Sequence, residues 1–216
     1  MAGHQGMAEH RRGDDGMRTV DPAKHRARRQ HIVDAAAQLF ATKGFERTTT
    51  AEICRAAGMS AGNLFHYFAN KRAIFLAVFE DEDSDKAERM AAAEVADDPW
   101  NALLEVIDLL AAPALEPLAP PLVMEAMVQA YRDPEVEAAL SRDTADEQKT
   151  VAVLLRRAAA AGRIDPELDP DATASWVVTL IASLYTGAAT DPAFKPAEQL
   201  PTLRLILTRY LRGEAR

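Results

Sequence analysis

The chain has 216 residues, 48% of them hydrophobic and only 6% aromatic, so it builds one large domain or two small ones on Ala, Leu, Val and Ile. A single cysteine, Cys54, excludes an intrachain disulfide framework and a cysteine-cluster metal site. The net charge of −8 argues against a nucleic-acid partner only if charge is evenly spread, and it is not: residues 1–72 hold 12 Lys plus Arg against 7 Asp plus Glu and all five His, whereas the remainder holds 13 against 26.

Residues 1–22 mix Gly, His, Arg and Asp with almost no large apolar side chains, and read as a disordered arm without a secretory core. No later stretch alternates apolar and polar residues over strand length, and 3.6-residue periodicity recurs almost everywhere, which predicts an all-α chain. The first helix is expected over 23–43, with an apolar stripe of Ile32, Ala35, Ala36, Leu39 and Phe40, ending at Gly44. Arg26, Arg28 and Arg29 on its first turns are either solvated charge or contacts to phosphate or a minor groove.

Thr49 and Glu52 form a capping-box pattern for a short helix over 50–57, with Ile53 and Ala56 facing in and Gly58 as the stop. Ser60 caps a second short helix over 61–68, and Asn70 caps a fourth. That fourth helix is expected to run through Ile74, Val78 and Phe79 into the charged stretch 80–89, and on to about residue 95. Prolines then punctuate helices expected over 100–112, 118–132, 135–161, 172–189 and 197–212. Pro201 falls inside the last, which suggests a later start. The uncharged run 172–190 is long enough for a bilayer, but its Ser, Thr and Gly are spread around the helix. It reads as a buried or subunit-interface helix, and a cytoplasmic protein is expected.

Residues 49–68 form a unit: two short capped helices around a glycine turn, the layout of a helix-turn-helix. Ile53, Ala57, Met59, Leu64 and Phe68 supply a small apolar inner face. By helical spacing Phe65 is assigned to the core along with Phe68. The outer face of the second helix is Ala61, Gly62, Asn63, His66 and Tyr67, small at its start, polar and aromatic further on, and free of acids. In such units the second helix enters the major groove.

Residues 32–78 resemble the DNA-binding domain of the tetracycline-repressor (TetR) family. The matching anchors are Phe40, Gly44-Phe45, the threonines opening the second helix, Ala57-Gly58-Met59-Ser60, Leu64-Phe65, Phe68 and Lys71, spaced without insertion. The resemblance implies an N-terminal three-helix DNA-binding domain over 23–80, joined to a larger helical effector-binding and dimerisation domain over 81–216. It implies that Thr49, Thr50, Ser60 and Lys71 meet DNA phosphates, that Ala61, Gly62, Asn63 and His66 face bases, and that Tyr67 meets a phosphate or a base. Two positions depart from the family: Phe65 stands where Tyr is usual, and Cys54 where Ala is usual.

An acidic helical half is repelled by phosphate and must project away from DNA. Residues 172–189 carry Trp176, Val177, Leu180, Ile181, Leu184 and Tyr185. The final helix carries Leu203, Leu205, Ile206, Leu207, Tyr210 and Leu211. These are apolar on more than one face, which marks both helices as dimerisation elements. The resemblance implies that they pair with their mates as a four-helix bundle and that a palindromic operator is read by two helices about 34–36 Å apart. Trp100, Met124, Met127, Trp176 and Tyr185 are expected to line a pocket for a mostly apolar effector. No cofactor and no metal are expected. The reading is a dimeric repressor released by a small molecule; the alternatives are an activator or DNA-organising protein with the same head, and an all-α enzyme. An enzyme lacks its clustered acid, base or nucleophile: no His lies beyond residue 66.

Overall fold

A computed structural model describes residues 21–80 and 85–213. The expected arm over 1–22 therefore lies outside the described residues, apart from its last two positions. Among the described residues the fold consists of ten α-helices and one 3-10 turn. Seven of the ten α-helices start where a side-chain oxygen takes up amides that the first turn leaves unpaired.

Helix α1 (Pro22–Lys43) is capped by Asp21 and ends at Gly44, whose φ of 79° needs glycine. Three seven-residue helices follow: α2 (Thr50–Ala56), α3 (Ala61–Tyr67) and α4 (Lys71–Ala77), capped by Thr49, Ser60 and Asn70. Helices this short are not stable alone, so tertiary packing must hold them. Then come α5 (Lys86–Val95), α6 (Pro99–Ala111), the 3-10 turn Ala112–Leu115, α7 (Ala119–Arg132), α8 (Pro134–Ala160), α9 (Pro170–Thr190) and α10 (Pro196–Arg212). Asp98, Asp133 and Asp169 cap α6, α8 and α9, each followed directly by a proline at the first helical position.

Two expectations are corrected. The fourth helix does not run on through residues 80–89. It stops at Ala77, where the Val78 and Phe79 amides turn back to the Phe75 and Leu76 carbonyls at 3.1 and 2.9 Å. That tightened turn brings the Phe79 ring onto Phe75, with centroids 5.3 Å apart. Residues 81–84 lie outside the described residues. The last helix does not start after Pro201 either; it starts at Pro196 and tolerates Pro201 on its exposed side.

Two apolar cores result. The first joins Ile32, Phe40, Ile53, Leu64, Ile74 and Phe75 to Leu122 and Ala126 of α7 and Val136 of α8. The second joins Leu103 and Ile107 to Leu154, Leu155, Val177, Ile181, Leu207 and Leu211. Each fully buried Leu, Ile or Phe contributes about 1.5–3 kcal/mol. Helix α8 is the spine of the body, packing against α5, α6, α7 and α9. By length and composition α9 is apolar enough to cross a membrane, yet it packs on α6, α7, α8 and α10 and buries Val177, Val178, Ile181 and Leu184.

Candidate nucleic-acid interface

The turn between α2 and α3 depends on Gly58 at φ 62°, after which the Met59 amide donates to the Cys54 carbonyl at 2.9 Å. Ile53, Ala57, Leu64 and Phe68 are buried beneath the two helices and Met59 is half-buried; Cys54 is buried as packing. Ala56 is exposed, because the inner seam of α2 passes through Ile53 and Ala57 instead. Ala61, Gly62, Asn63 and His66 all face outward. A side chain added at Gly62 would meet nothing within 4 Å, so its smallness serves nothing inside the chain and leaves room outside.

Phe65 corrects the sequence reading. It is 49% exposed, whereas Phe68 is 4% exposed. A seven-residue helix has one buried seam, taken here by Leu64 and Phe68 at i and i+4, and the residue next to Leu64 falls outside it. Phe65 therefore joins the outer face.

Tyr67 is half-buried, with its ring 4.7 Å from that of His25 on α1 and 5.4 Å from that of His66. Sequence reasoning missed His25, because 42 residues separate it from its partner. Of the three arginines early in α1, Arg29 turns inward, 5.0 Å above the Phe68 ring and 3.2 Å from Glu80, while Arg26 and Arg28 are exposed.

The phosphate-matching residues also have local tasks. The Thr49 hydroxyl accepts from the Glu52 amide at 3.2 Å, and the Thr49 amide donates to Glu52 Oε2 at 2.9 Å, which completes the capping box. Lys43 Nζ sits 2.6 Å from Glu52 Oε1. Lys43, and after it Thr49, hold the Glu52 carboxyl down to about 2. Thr50 is half-buried at the start of α2, and the exposed Ser60 accepts from the Asn63 amide at 3.3 Å. Lys71 Nζ donates to the Phe45 and Thr48 carbonyls at 2.7 and 2.9 Å, lying 4.2 Å from the Phe45 ring centroid. Two of its three ammonium donors are thus spent on the loop between α1 and α2. Thr48, which the sequence pattern did not single out, is buried and donates to the Gly44 carbonyl at 2.8 Å in that same loop.

The five residues expected around an effector sit in different surroundings. Trp100 is buried under the Arg212 guanidinium, 4.5 Å from its ring. Tyr185 is half-buried and donates to the Leu110 carbonyl at 3.1 Å; burial pushes its phenol up to about 12. Met124 is half-buried, while Met127 and Trp176 are 46% and 60% exposed on the outward sides of α7 and α9. The five share helical apolar spacing, and none of them borders the cavity between α5 and α8 or the cleft beside Lys71 and Arg72. A cavity of about 390 Å³ lies instead between α5 and α8, walled by Phe79, Met90, Glu94, Asp143, Glu147 and Thr150. Lys86 reaches into it, 2.5 Å from Glu147 and 3.6 Å from Asp143. Burial disfavours its charge, but Glu147 and Asp143 outweigh that and its pKa is raised.

Residues 32–78 match the family model for bacterial regulatory proteins of the tetR family. The HTH-type transcriptional repressor Rv1474c of Mycobacterium tuberculosis is 38% identical over 88 residues, 40% of this chain and 43% of that protein, so this match spans less than half of the relative. The HTH-type transcriptional regulator UidR of Escherichia coli K12 is 25% identical over 179 residues, 83% of this chain and 90% of that one. Among solved structures, Salmonella enterica GusR superposes with a TM-score of 0.67 at 25% identity, covering 90% of this chain and 98% of its own.

Proposed function

The chain belongs to the TetR family and is a DNA-binding transcriptional regulator, and from that premise we propose that it is a homodimeric repressor, released from a palindromic operator by a small-molecule effector in the cytoplasm. Residues 23–80 are the reading head and residues 81–216 the sensing and pairing body. The observation that carries this reading is the outer face of α3, where Ala61, Gly62, Asn63 and His66 stand exposed and without an acid. Asn63, His66 and the small residues before them meet bases in this reading. Thr49, Thr50, Ser60, Tyr67 and Lys71 lie along the phosphates, Lys71 through its remaining donor.

The pairing surface is α9 with α10. Trp176, Leu205, Ile206 and Tyr210 are all exposed on a chain whose other Leu and Ile are largely buried. Apolar residues gathered on two neighbouring helices favour a second copy of the same surface. We place the effector in the cavity between α5 and α8, where Glu94, Asp143, Asp146 and Glu147 against Lys86 and Lys149 favour a positively charged compound over the apolar one expected from sequence.

The test is selection from random DNA with the full chain, followed by fluorescence anisotropy on the selected duplex. A two-fold symmetric site is expected, with affinity falling steeply as salt rises. Enrichment of no symmetric site, or binding indifferent to salt, would defeat the proposal.

A further inference from the structure

Head and body are joined by more than the chain connection after α4. One contact centres on the loop between α1 and α2. The Phe45 amide donates to Glu125 Oε1 of α7 at 2.9 Å, and the buried Gln129 side chain donates to the same oxygen at 2.9 Å. A methyl group on Gly44 would sit 3.0 Å from Glu125 Oε2, so the carboxylate approaches the loop as closely as glycine allows. Lys71 grips the other side of that loop through the Phe45 and Thr48 carbonyls.

The next residue provides a second contact. Arg72 Nε lies 2.6 Å from Asp133 Oδ2 and its Nη1 2.6 Å from Glu135 Oε2. Asp133 is also the cap of α8, accepting from the Glu135 amide at 3.0 Å. Between the two contacts lies a cleft of about 440 Å³, bordered by Phe45, Asn70, Lys71, Arg72, Gln129 and Asp133. The head is therefore pinned to the corner between α7 and α8 at two separate polar points, besides the apolar contact at Leu122, Ala126 and Val136. Two pins fix an angle where one would act as a pivot.

We propose that Glu125 and Arg72 are positioning residues that set the angle of the head on the body, and through it the half-site spacing that a dimer accepts. This rests on the reading of a dimer on a palindrome. A displacement of α3 by about 3.4 Å along the duplex corresponds to one base-pair step, so a small rotation of the head changes which spacing fits. Arg72 is 43% exposed. Exposed ion pairs contribute little to global stability, so loss of this one alters geometry more than folding.

The experiment uses the full chain and its selected operator, with one or two base pairs inserted or removed at the centre of symmetry. The wild type should show a sharp optimum, losing affinity about 5- to 150-fold off that spacing, the usual size of coupling between linked sites. Glu125→Ala and Arg72→Ala should lose affinity at the optimum and flatten the profile to within about threefold across spacings, a loss of most of that coupling. Glu125→Gln, whose amide oxygen still accepts from Phe45, should keep the wild-type profile. A merely structural role lowers the active fraction and shifts all spacings equally, so an unflattened profile in both alanine variants overturns the inference. Should Glu125→Ala fail to fold, Arg72→Ala carries the same comparison. A wild type with no spacing preference overturns the palindrome reading and this inference with it; a sharp wild-type optimum shared by the variants overturns the inference alone.

Discussion

The head and the body solve the problem of a helical core in opposite ways. The head packs three helices of seven residues each against the 22-residue α1, and holds them with rings: Phe40, Phe45, Phe75 and Phe79 meet in a chain of contacts 5.0–5.7 Å between centroids. The body uses helices of up to 27 residues and an aliphatic core in which Leu103, Ile107, Leu154 and Leu155 are fully or almost fully buried. Short helices offer few inward positions, so each must bury a large area; long helices spread the same task over many small side chains. The outer surfaces differ in the same sense. The head presents small and polar residues on α3 with Phe65 as the one large apolar side chain among them, whereas the body leaves Trp176, Leu205, Ile206 and Tyr210 uncovered.

If the two cores are separate units, damage to one should spare the task of the other. Phe75→Ala should cost about 3–5 kcal/mol in the head and abolish operator binding, while sedimentation still reports a dimer. Loss of dimer mass together with binding would show that the cores are one cooperative unit. The converse variant, Ile206→Asp, places a charge on the proposed pairing surface. It should weaken dimerisation by about 2 kcal/mol or more, with the near-ultraviolet circular dichroism of the head unchanged.

Asn63→Ala should leave both cores intact and lower discrimination at one base pair of each half-site by about 1–3 kcal/mol, read by anisotropy on substituted duplexes. A uniform loss across all sequences would assign Asn63 to phosphate instead. The smallest effects are acid–base and also divide by region. Glu52 is held at about 2, against an ordinary 4.5, so its contribution to head stability is complete above about pH 4.5 and is lost as pH falls towards 2. Melting curves of the wild type and Glu52→Gln should converge over that range. In the body, the Tyr185 phenol is raised from 10.0 to about 12, so stability is complete below pH 10 and lost as pH rises through 12; Tyr185→Phe should flatten that alkaline limb.

The head was legible because its signals are local. Thr49 and Glu52, Gly58, Ser60 and Asn70 act within four residues of their partners, and each cap stands where the sequence places it. What escaped depended on distant partners. Nothing near Arg29 tells that it turns to Phe68 and Glu80, nothing near Lys71 that its ammonium closes on Phe45 and Thr48, and nothing near Glu125 that it receives an amide 80 residues earlier. Phe65 shows the limit of periodicity in a short helix, where a shift of one position separates core from surface. The five residues expected to line a pocket illustrate a related limit: spacing identifies an apolar face but not the face that meets it.

By itself the amino-acid order determined most of the helices, the caps of α2, α3 and α4, the acid-free outer face of α3 and the division of charge between residues 1–72 and the rest. These follow from hydrogen bonds and helical geometry a few residues in range. The tertiary structure alone decided where the cavity lies, which cations are spent inside the head, and that α7 and α8 pin it at Glu125 and Arg72. Those outcomes depend on which surfaces long-range packing brings together, and no local pattern contains that information.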